Sequence, residues 1–239
     1  HYGPDHPKVA TTLSNLGSAY GDLGDASKMR DYLERALRIL EAHYVPDHPA
    51  VARTLANLGN AYGALGDASK QRDYLERALR ILEAHYGPEN VEVAKTLVNV
   101  GNAYGDLGDA SKKRDYLERA LQIEEAHYGP DHAEVATTLH NLGDAYGDLA
   151  DASKKRDYLE RALRIKEAHY GPDHPEVAIT LTNLGNAYGD LGDASKMRDS
   201  LERALRILEH LERALRILEA HYGPDHPDVA RTLNNLGNA

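Results

Sequence analysis

The sequence predicts an all-α solenoid in which antiparallel helical hairpins stack side by side. The chain repeats itself every 42 residues, and a period of this length is typical of stacked units that contact only their neighbours. Each unit contains two apolar patterns of helical period, and no strand pattern occurs anywhere in the sequence. The 239 residues are therefore predicted to form a single solenoid, with repeats at 1–42, 43–84, 85–126, 127–168 and 169–220 and a partial repeat at 221–239.

The first helix of each repeat, helix A, follows a proline-rich turn. In the repeat at 43–84, Asp47 is predicted to cap the helix, and Pro49 lies where its missing N–H costs nothing. The Asp-x-x-Glu spacing at 131–134 and 173–176 is that of a capping box. Spacings of four and three residues place the apolar side chains of helix A on one stripe, which comprises Val51, Leu55, Leu58, Tyr62 and Leu65.

The second helix, helix B, begins after a short turn. Gly66 suits the left-handed position that follows a helix, and Asp67 is a good cap for the next one. The apolar face of helix B is broad, so we expect this helix to have neighbours on two sides. That face comprises Tyr74, Leu75, Ala78, Leu79, Ile81 and Leu82.

The spacing of several residues resembles a known family. Leu-Gly at 16–17 stands where tetratricopeptide repeats place the same pair, and the other matching positions are Tyr20, Gly24, Leu33 and Ala36. The period and the Gly-Pro-Asp-His-Pro turn resemble the kinesin-light-chain type of that family, which also occurs at the C-terminal end of STAND or NLR-like receptors. The resemblance covers the whole chain. It implies a right-handed superhelix that binds a peptide or protein in a concave groove lined by helices A.

Two positions near the start of helix B depart from the family pattern. Alanine stands at position 68 and its repeats where the family has a large aromatic residue, and Gln71 stands where the family favours alanine. Lysines occupy the position of Gln71 in two other repeats, at Lys113 and Lys155. We therefore expect looser packing of helix A on helix B near this turn, or lysines that reach outward to solvent.

Most differences between the repeats fall on one stripe of helix A, outside its core stripe. The variable positions are 3, 3 and 4 residues apart. Beside them, every repeat carries an asparagine at the same position. Together these asparagines form a ladder that could bind an extended peptide backbone. Exposed positions could also vary because nothing constrains them, but Asp31, Glu34 and Arg35 on the outer face of helix B have identical counterparts in every complete repeat. We therefore predict a peptide-binding groove. Its residues are Asn15, Arg53, Asn57, Asn60, Lys95, Asn99, Asn102, His140, Asn141, Asp144, Asn183 and Asn186.

The charges on this stripe give an expectation about the ligand. Arg53, Lys95 and Arg231 are basic residues in an otherwise acidic chain. They favour a ligand with acidic side chains or a C-terminal carboxylate. With the resemblance to receptor arrays, the chain is expected to be the sensing part of a larger signalling protein.

Near its end the period is broken by a duplication of ten residues, 201–210 and 211–220. The result is predicted to be one helix over 194–222, about 40 Å long, after which the next repeat is rotated by about 80°. The last helix A, from Pro227, would then hang free or pack on another molecule. The duplication could be merely tolerated, but its heptad-spaced apolar residues support an alternative function as a self-association module, by homodimerisation or domain swapping. That seam comprises Leu201, Leu208, Leu211, Leu215, Leu218 and Tyr222.

The composition argues against several classes of function. A net charge of −10 opposes non-specific nucleic-acid binding, and no apolar run is long enough to span a membrane. The chain has no cysteine and no recognisable signal peptide, so a cytoplasmic location is expected. It begins in phase with the repeat and stops within one, as a piece of a longer array would.

Catalysis and cofactors are not predicted. Each turn contains a pair of histidines, such as His43 and His48, but the first lies at a helix end and the pair spans a turn, so no metal site is predicted. Ser27 and its repeats have no neighbouring base that would make them nucleophiles. We expect a non-enzymatic protein without cofactors.

Overall fold

The structure, a computed structural model, describes residues 3–45, 47–223, 226, 229–230 and 232–233. Its described part contains ten α-helices and no strand. Odd-numbered helices correspond to the predicted helices A and even-numbered helices to helices B. The helices are α1 Pro7–Asp22, α2 Ala26–His43, α3 Pro49–Ala64, α4 Ala68–Tyr86, α5 Val91–Asp106, α6 Ala110–Tyr128, α7 Ala133–Asp148, α8 Ala152–Tyr170, α9 Pro175–Asp190 and α10 Ala194–Tyr222.

The chain forms two compact units, His1–His127 and Tyr128–Ala239, which we call unit 1 and unit 2. In unit 1, α1 packs against α2 and α3 against α4, and α2 and α4 also pack against the helix A that follows each of them. Unit 2 repeats this order, with α7 against α8, α9 against α10, and α8 against α9. Each unit is therefore a row of helical hairpins, as the repeat predicts.

The predicted core stripe of helix A is buried as far as Tyr62. Val51, Leu55 and Leu58 are fully buried. The prediction was wrong for Leu65, which is exposed because it forms the C-cap of α3, where the helix turns away from its neighbour. Gly66 adopts a positive φ of 79°, and the Asp67 carboxylate accepts a hydrogen bond from the N–H of Lys70, as expected for a helix start.

The N-cap of helix A is a histidine, one residue later than predicted. His48 Nδ1 accepts a hydrogen bond from the N–H of Ala50 at 3.1 Å, so the prediction of an Asp47 cap was wrong. The same correction applies to the capping boxes expected at Asp131 and Asp173. Pro49 restricts His48 to extended backbone, which is the conformation an N-cap needs, and His132 and Asn90 adopt the same conformation without a following proline. His6, His132 and His174 occupy the same position, and Asn90 replaces them in α5.

The turn between helices A and B is closely packed, which corrects the expectation of loose packing. Gln71 lies directly over Gly63, where a Cβ atom would come within 2.7 Å of the Gln71 side chain. Lys155 covers Gly147 in the same way, and its ammonium group reaches out to Asp190 at 3.5 Å. A large residue fits at this position because the facing residue of helix A is a glycine.

Polar contacts between successive hairpins explain why the outer face of helix B does not vary. The Tyr62 hydroxyl donates to Glu34 of the preceding hairpin at 2.6 Å, and Tyr188 donates to Glu160 in the same way. Burial and this carboxylate raise the pKa of Tyr188 to about 12. Arg77 pairs with Glu41 of the preceding helix B at 2.7 Å. The constancy of the Glu34 and Arg35 positions therefore reflects contacts within the array, and it is no longer an argument for ligand binding elsewhere.

The predicted long helix is confirmed as α10, which has 29 residues. Its first half packs on α9 in unit 2, where Leu208 and Leu211 contact a buried cluster. After α10, the chain turns at Gly223 with a φ of 84°, as it does after α4 and α8. Val229 is fully buried, so this part of the last repeat does not hang free. The rest of that predicted helix, most of residues 227–239, and the side chain of Tyr222 lie outside the described residues.

Candidate binding groove

The variable stripe of unit 1 surrounds two depressions between successive helices A. The first, of about 340 Å³, lies between α1 and α3. The second, of about 570 Å³, lies between α3 and α5. Five of the predicted groove residues line them: Asn15 in the first, Arg53 and Asn57 in both, and Lys95 and Asn99 in the second. Asn60 and Asn102 lie further along the same helices and line neither depression.

The ladder asparagines of unit 1 are available for a ligand. Asn57 and Asn99 are half-exposed, and their amides make no hydrogen bond to any other described residue. Each amide can therefore donate to a peptide carbonyl and accept from a peptide N–H. Tyr86 is exposed at the edge of the second depression and adds an aromatic surface to it.

Unit 1 offers positive charge at the same place. Arg53 is exposed and makes no ion pair with the described residues. Lys95 contacts Glu92 at 3.2 Å, with both side chains about half exposed. Exposed pairs of this kind contribute little free energy, so a ligand carboxylate can compete for Lys95.

In unit 2, the structure brings three predicted groove residues into one network. The Asn183 amide nitrogen lies 3.1 Å from His140 Nε2 and donates to Asp144 at 3.3 Å. His140 Nε2 also lies 3.8 Å from the Asp144 carboxylate. The other two predicted residues, Asn141 and Asn186, are half-buried and exposed respectively on the same two helices.

Sequence reasoning missed the residue that lies beneath this network. Lys166 on α8 is only 3% exposed, and its ammonium group pairs with Glu176 on α9 at 2.8 Å. Burial of the Glu176 carboxylate raises its pKa, but the hydrogen bond and charge of Lys166 outweigh this effect, so the pKa of Glu176 is lowered. A comparison of the repeats at this one position would have found Lys166, because Leu40, Leu82 and Leu208 occupy it in three other repeats and Glu124 in the fourth.

The histidine pairs of the turns have structural contacts. The Tyr44 ring stacks on His48 at a centroid distance of 4.0 Å, and His48 Nδ1 is engaged in capping α3. Within the described part of the chain, no group of three or more histidine, cysteine, aspartate and glutamate side chains could hold a metal ion. None of the described helices combines the length and apolar character required to cross a bilayer.

The comparisons with known proteins agree with this architecture. A tetratricopeptide repeat model matches residues 9–84, 92–168 and 154–210, and a second tetratricopeptide repeat model matches residues 208–228. The chain belongs to the tetratricopeptide repeat family. No curated protein matches it significantly.

Solved structures of tetratricopeptide-like repeats resemble this chain along most of its length. One is a kinesin light chain with nearly identical repeats from Podosopora anserina, with a TM-score of 0.74, 21% identity, and coverage of 87% of this chain and 99% of that one. BtubC (BKLC) from P. vanneervenii has a TM-score of 0.74 and 25% identity, over 92% of this chain and 84% of that one. A Rap protein complexed with Competence and Sporulation Factor has a TM-score of 0.68 and 18% identity, over 94% of this chain and 63% of that one. The fold is therefore a solenoid with kinesin-light-chain-like neighbours.

Proposed function

We propose that this protein is a non-catalytic scaffold that binds a peptide or protein on the face lined by helices A. The observation that carries the proposal is that the residues which vary between repeats, together with the constant asparagines, line the depressions of unit 1. Varied side chains on a rigid scaffold are suited to recognition. The structurally similar Rap protein is complexed with Competence and Sporulation Factor, which supports ligand binding by this fold.

For unit 1, the proposed ligand is a peptide with an acidic side chain or a free C-terminal carboxylate. Asn57 and Asn99 would hydrogen-bond its backbone, and Arg53 and Lys95 would contact its carboxylate. Such charge-assisted hydrogen bonds contribute more than neutral ones, so the two basic residues would set the specificity. A sensing role within a larger signalling protein and a receptor context remain predictions from the resemblance, and a cytoplasmic location remains a prediction from the composition.

The proposal is tested by panning random peptides of about 12 residues, displayed on phage, against the full chain. Selected peptides should be rich in acidic residues, and the double variant Asn57→Ala, Asn99→Ala should bind them at least about tenfold more weakly, which corresponds to about 1.4 kcal/mol. The matched control is Asn102→Ala, which removes an asparagine that lines neither depression. Failure to select any peptide, or equal binding by the double variant and the control, would reject the groove.

Self-association is the second candidate. Leu205 and Ile217 on α10 are 55% and 60% exposed, which supports an apolar contact with another copy. Of the predicted seam, Leu208 and Leu211 already contact α9, so a dimer would use the outer surface of α10 more than the seam. Light scattering over a range of concentrations, with Leu205→Glu and Ile217→Glu as disrupting variants, distinguishes a dimer from a strict monomer.

A further inference from the structure

His140 in unit 2 lies in a hydrogen-bonded network that joins α7 to α9. His140 is on α7 and only 13% of its side chain is exposed. Its Nδ1 lies 3.4 Å from the Thr180 hydroxyl on α9, and its Nε2 lies 3.1 Å from the Asn183 amide nitrogen. The Thr180 hydroxyl also lies 2.9 Å from the backbone carbonyl of Glu176, to which it donates.

The number of available protons determines the direction of each of these bonds. A threonine hydroxyl has one proton, and that of Thr180 goes to the Glu176 carbonyl, so Thr180 must accept from His140 Nδ1–H. In the neutral imidazole with its proton on Nδ1, Nε2 is an acceptor and takes one N–H of Asn183. The second N–H of Asn183 goes to Asp144. A flipped amide would place its oxygen against the Asp144 carboxylate and the Nε2 lone pair, which both repel it.

The consequence is that Asn183 can offer a ligand only its carbonyl oxygen. Both of its N–H groups are used within the network, and its Oδ1 is not among the buried side-chain atoms that lack a hydrogen-bond partner. The neighbouring carboxylates of Asp144 and Glu176 are 38% and 41% exposed, so they also present acceptors. The Lys166 ammonium group is buried in its pair with Glu176 and does not project toward a ligand.

We propose that the face of unit 2 between α7 and α9 selects a lysine or arginine side chain of the bound peptide, because His140 holds Asn183 as an acceptor. This specificity rests on the proposed function and extends it to a second ligand class. In unit 1, Ala56 and Asn60 of α3 precede Asn99 of α5 by the same 43 and 39 residues as His140 and Asp144 precede Asn183. Alanine cannot hydrogen-bond through its side chain, so no imidazole fixes the Asn99 amide, which can turn either way.

The first test needs no ligand. Nitrogen-15 NMR of the histidine side chains identifies the tautomer of each imidazole, and the variant His140→Val assigns the resonance. Valine stands at this repeat position in α5, as Val98, so the variant should keep its helical circular dichroism. At weakly basic pH, His140 should carry its proton on Nδ1. A proton on Nε2 would overturn the proposed orientation of Asn183.

The second test uses three fluorescent glycine–serine peptides, one with two lysines, one with two glutamates and one uncharged. Fluorescence anisotropy with the full chain at low salt should show tighter binding of the lysine peptide than of the uncharged peptide. His140→Val, which alters no formal charge, and Asp144→Asn should each weaken it about tenfold, or about 1.4 kcal/mol. Asp106→Asn, at an exposed acid on α5 in unit 1, changes the net charge as Asp144→Asn does and should have less than a twofold effect.

Each alternative outcome has a distinct meaning. An equal loss in the Asp106→Asn control would show attraction to net charge alone and would overturn the inference, as would unchanged binding by His140→Val. If the glutamate peptide binds through Asn57 and Asn99 while the lysine peptide does not bind, the proposed groove stands and the specificity of unit 2 is wrong. If none of the three peptides binds, the specificity is wrong, and the peptide selection described above decides the groove separately.

Discussion

Unit 1 and unit 2 have the same hairpins but differ in what fills the space between successive helices A. In unit 1, Leu40 and Ala50 line the first depression as an apolar pair. In unit 2, Lys166 and Glu176 occupy the equivalent positions as an ion pair at 2.8 Å. The bounds of α3 and α9 relative to the repeat are the same. The scaffold thus accepts an apolar or an ionic contact at one position, and the chemistry of the binding face can change without a change of fold.

The strongest test of this comparison converts unit 2 into unit 1 at the ion pair. Glu176→Ala alone leaves Lys166 buried without a counter-charge and should lower the free energy of unfolding by about 2 kcal/mol, since the pair is only partly buried. The double variant Lys166→Leu, Glu176→Ala recreates the pair of Leu40 and Ala50 and should be as stable as the wild type or more so. Urea denaturation followed by circular dichroism measures both.

A different result would change the comparison. If the double variant is as unstable as Glu176→Ala, the ion pair stabilises unit 2 in its own right and the two contacts are not interchangeable. The conservative variant Glu176→Gln, which keeps a hydrogen-bond acceptor for Lys166, separates loss of charge from loss of packing.

The pH dependence of stability sharpens the same comparison. Lys166 lowers the pKa of Glu176 in the folded state despite its burial, relative to an ordinary value of 4.5. Between the folded-state and unfolded-state pKa values of Glu176, the unfolded state binds more protons than the folded state. The contribution of the pair to the free energy of unfolding is therefore complete above pH 4.5 and is lost as the pH falls through the lower pKa of the folded state. The free energy of unfolding should be measured from pH 7 to about 3 for the wild type and for the Lys166→Leu, Glu176→Ala double variant. It should fall more steeply with decreasing pH in the wild type. Parallel curves would contradict the assigned pKa shift.

Much of this fold can be predicted from the sequence because the physical signals are local. Spacings of three and four residues identify the helices, and Gly66 with Asp67 marks the turn between them. The N-cap was misplaced by one residue because Asp47 is a better cap by composition, whereas His48 has the extended backbone of an N-cap and accepts the N–H of Ala50. Leu65 fitted the helical period, but its exposure depends on where the neighbouring helix ends.

The candidate site could be predicted only in part, because its contacts cross from one hairpin to the next. The stripe and the asparagines follow from one helix, so Arg53 and Asn57 were identified. The contact of His140 with Asn183 joins residues 43 positions apart and is visible only once the hairpins are stacked. The Tyr62 to Glu34 bond likewise explains a constancy that the sequence analysis could use only as a contrast to the variable stripe.

The smallest expected effect concerns an aromatic contact that unit 1 has and the last hairpin of unit 2 lacks. In unit 1, Tyr62 of α3 stacks on Tyr74 of α4 at a centroid distance of 5.4 Å. In unit 2, the corresponding partner of Tyr188 is Ser200, which is half-buried on α10. Ser200→Tyr should restore the stack and raise the free energy of unfolding by about 1 kcal/mol, within the range measured for aromatic pairs.

Ser200→Leu is the matched control, since leucine adds apolar area without an aromatic face. In thermal unfolding, the tyrosine variant should have a higher midpoint temperature than the leucine variant, and both should have a higher midpoint than the wild type. If the two variants are equal, burial of apolar area accounts for the gain and the stacked geometry adds nothing. If neither raises the midpoint, the space beside Tyr188 differs from that beside Tyr62, and the repeats are less equivalent at their hairpin turns than their shared sequence implies.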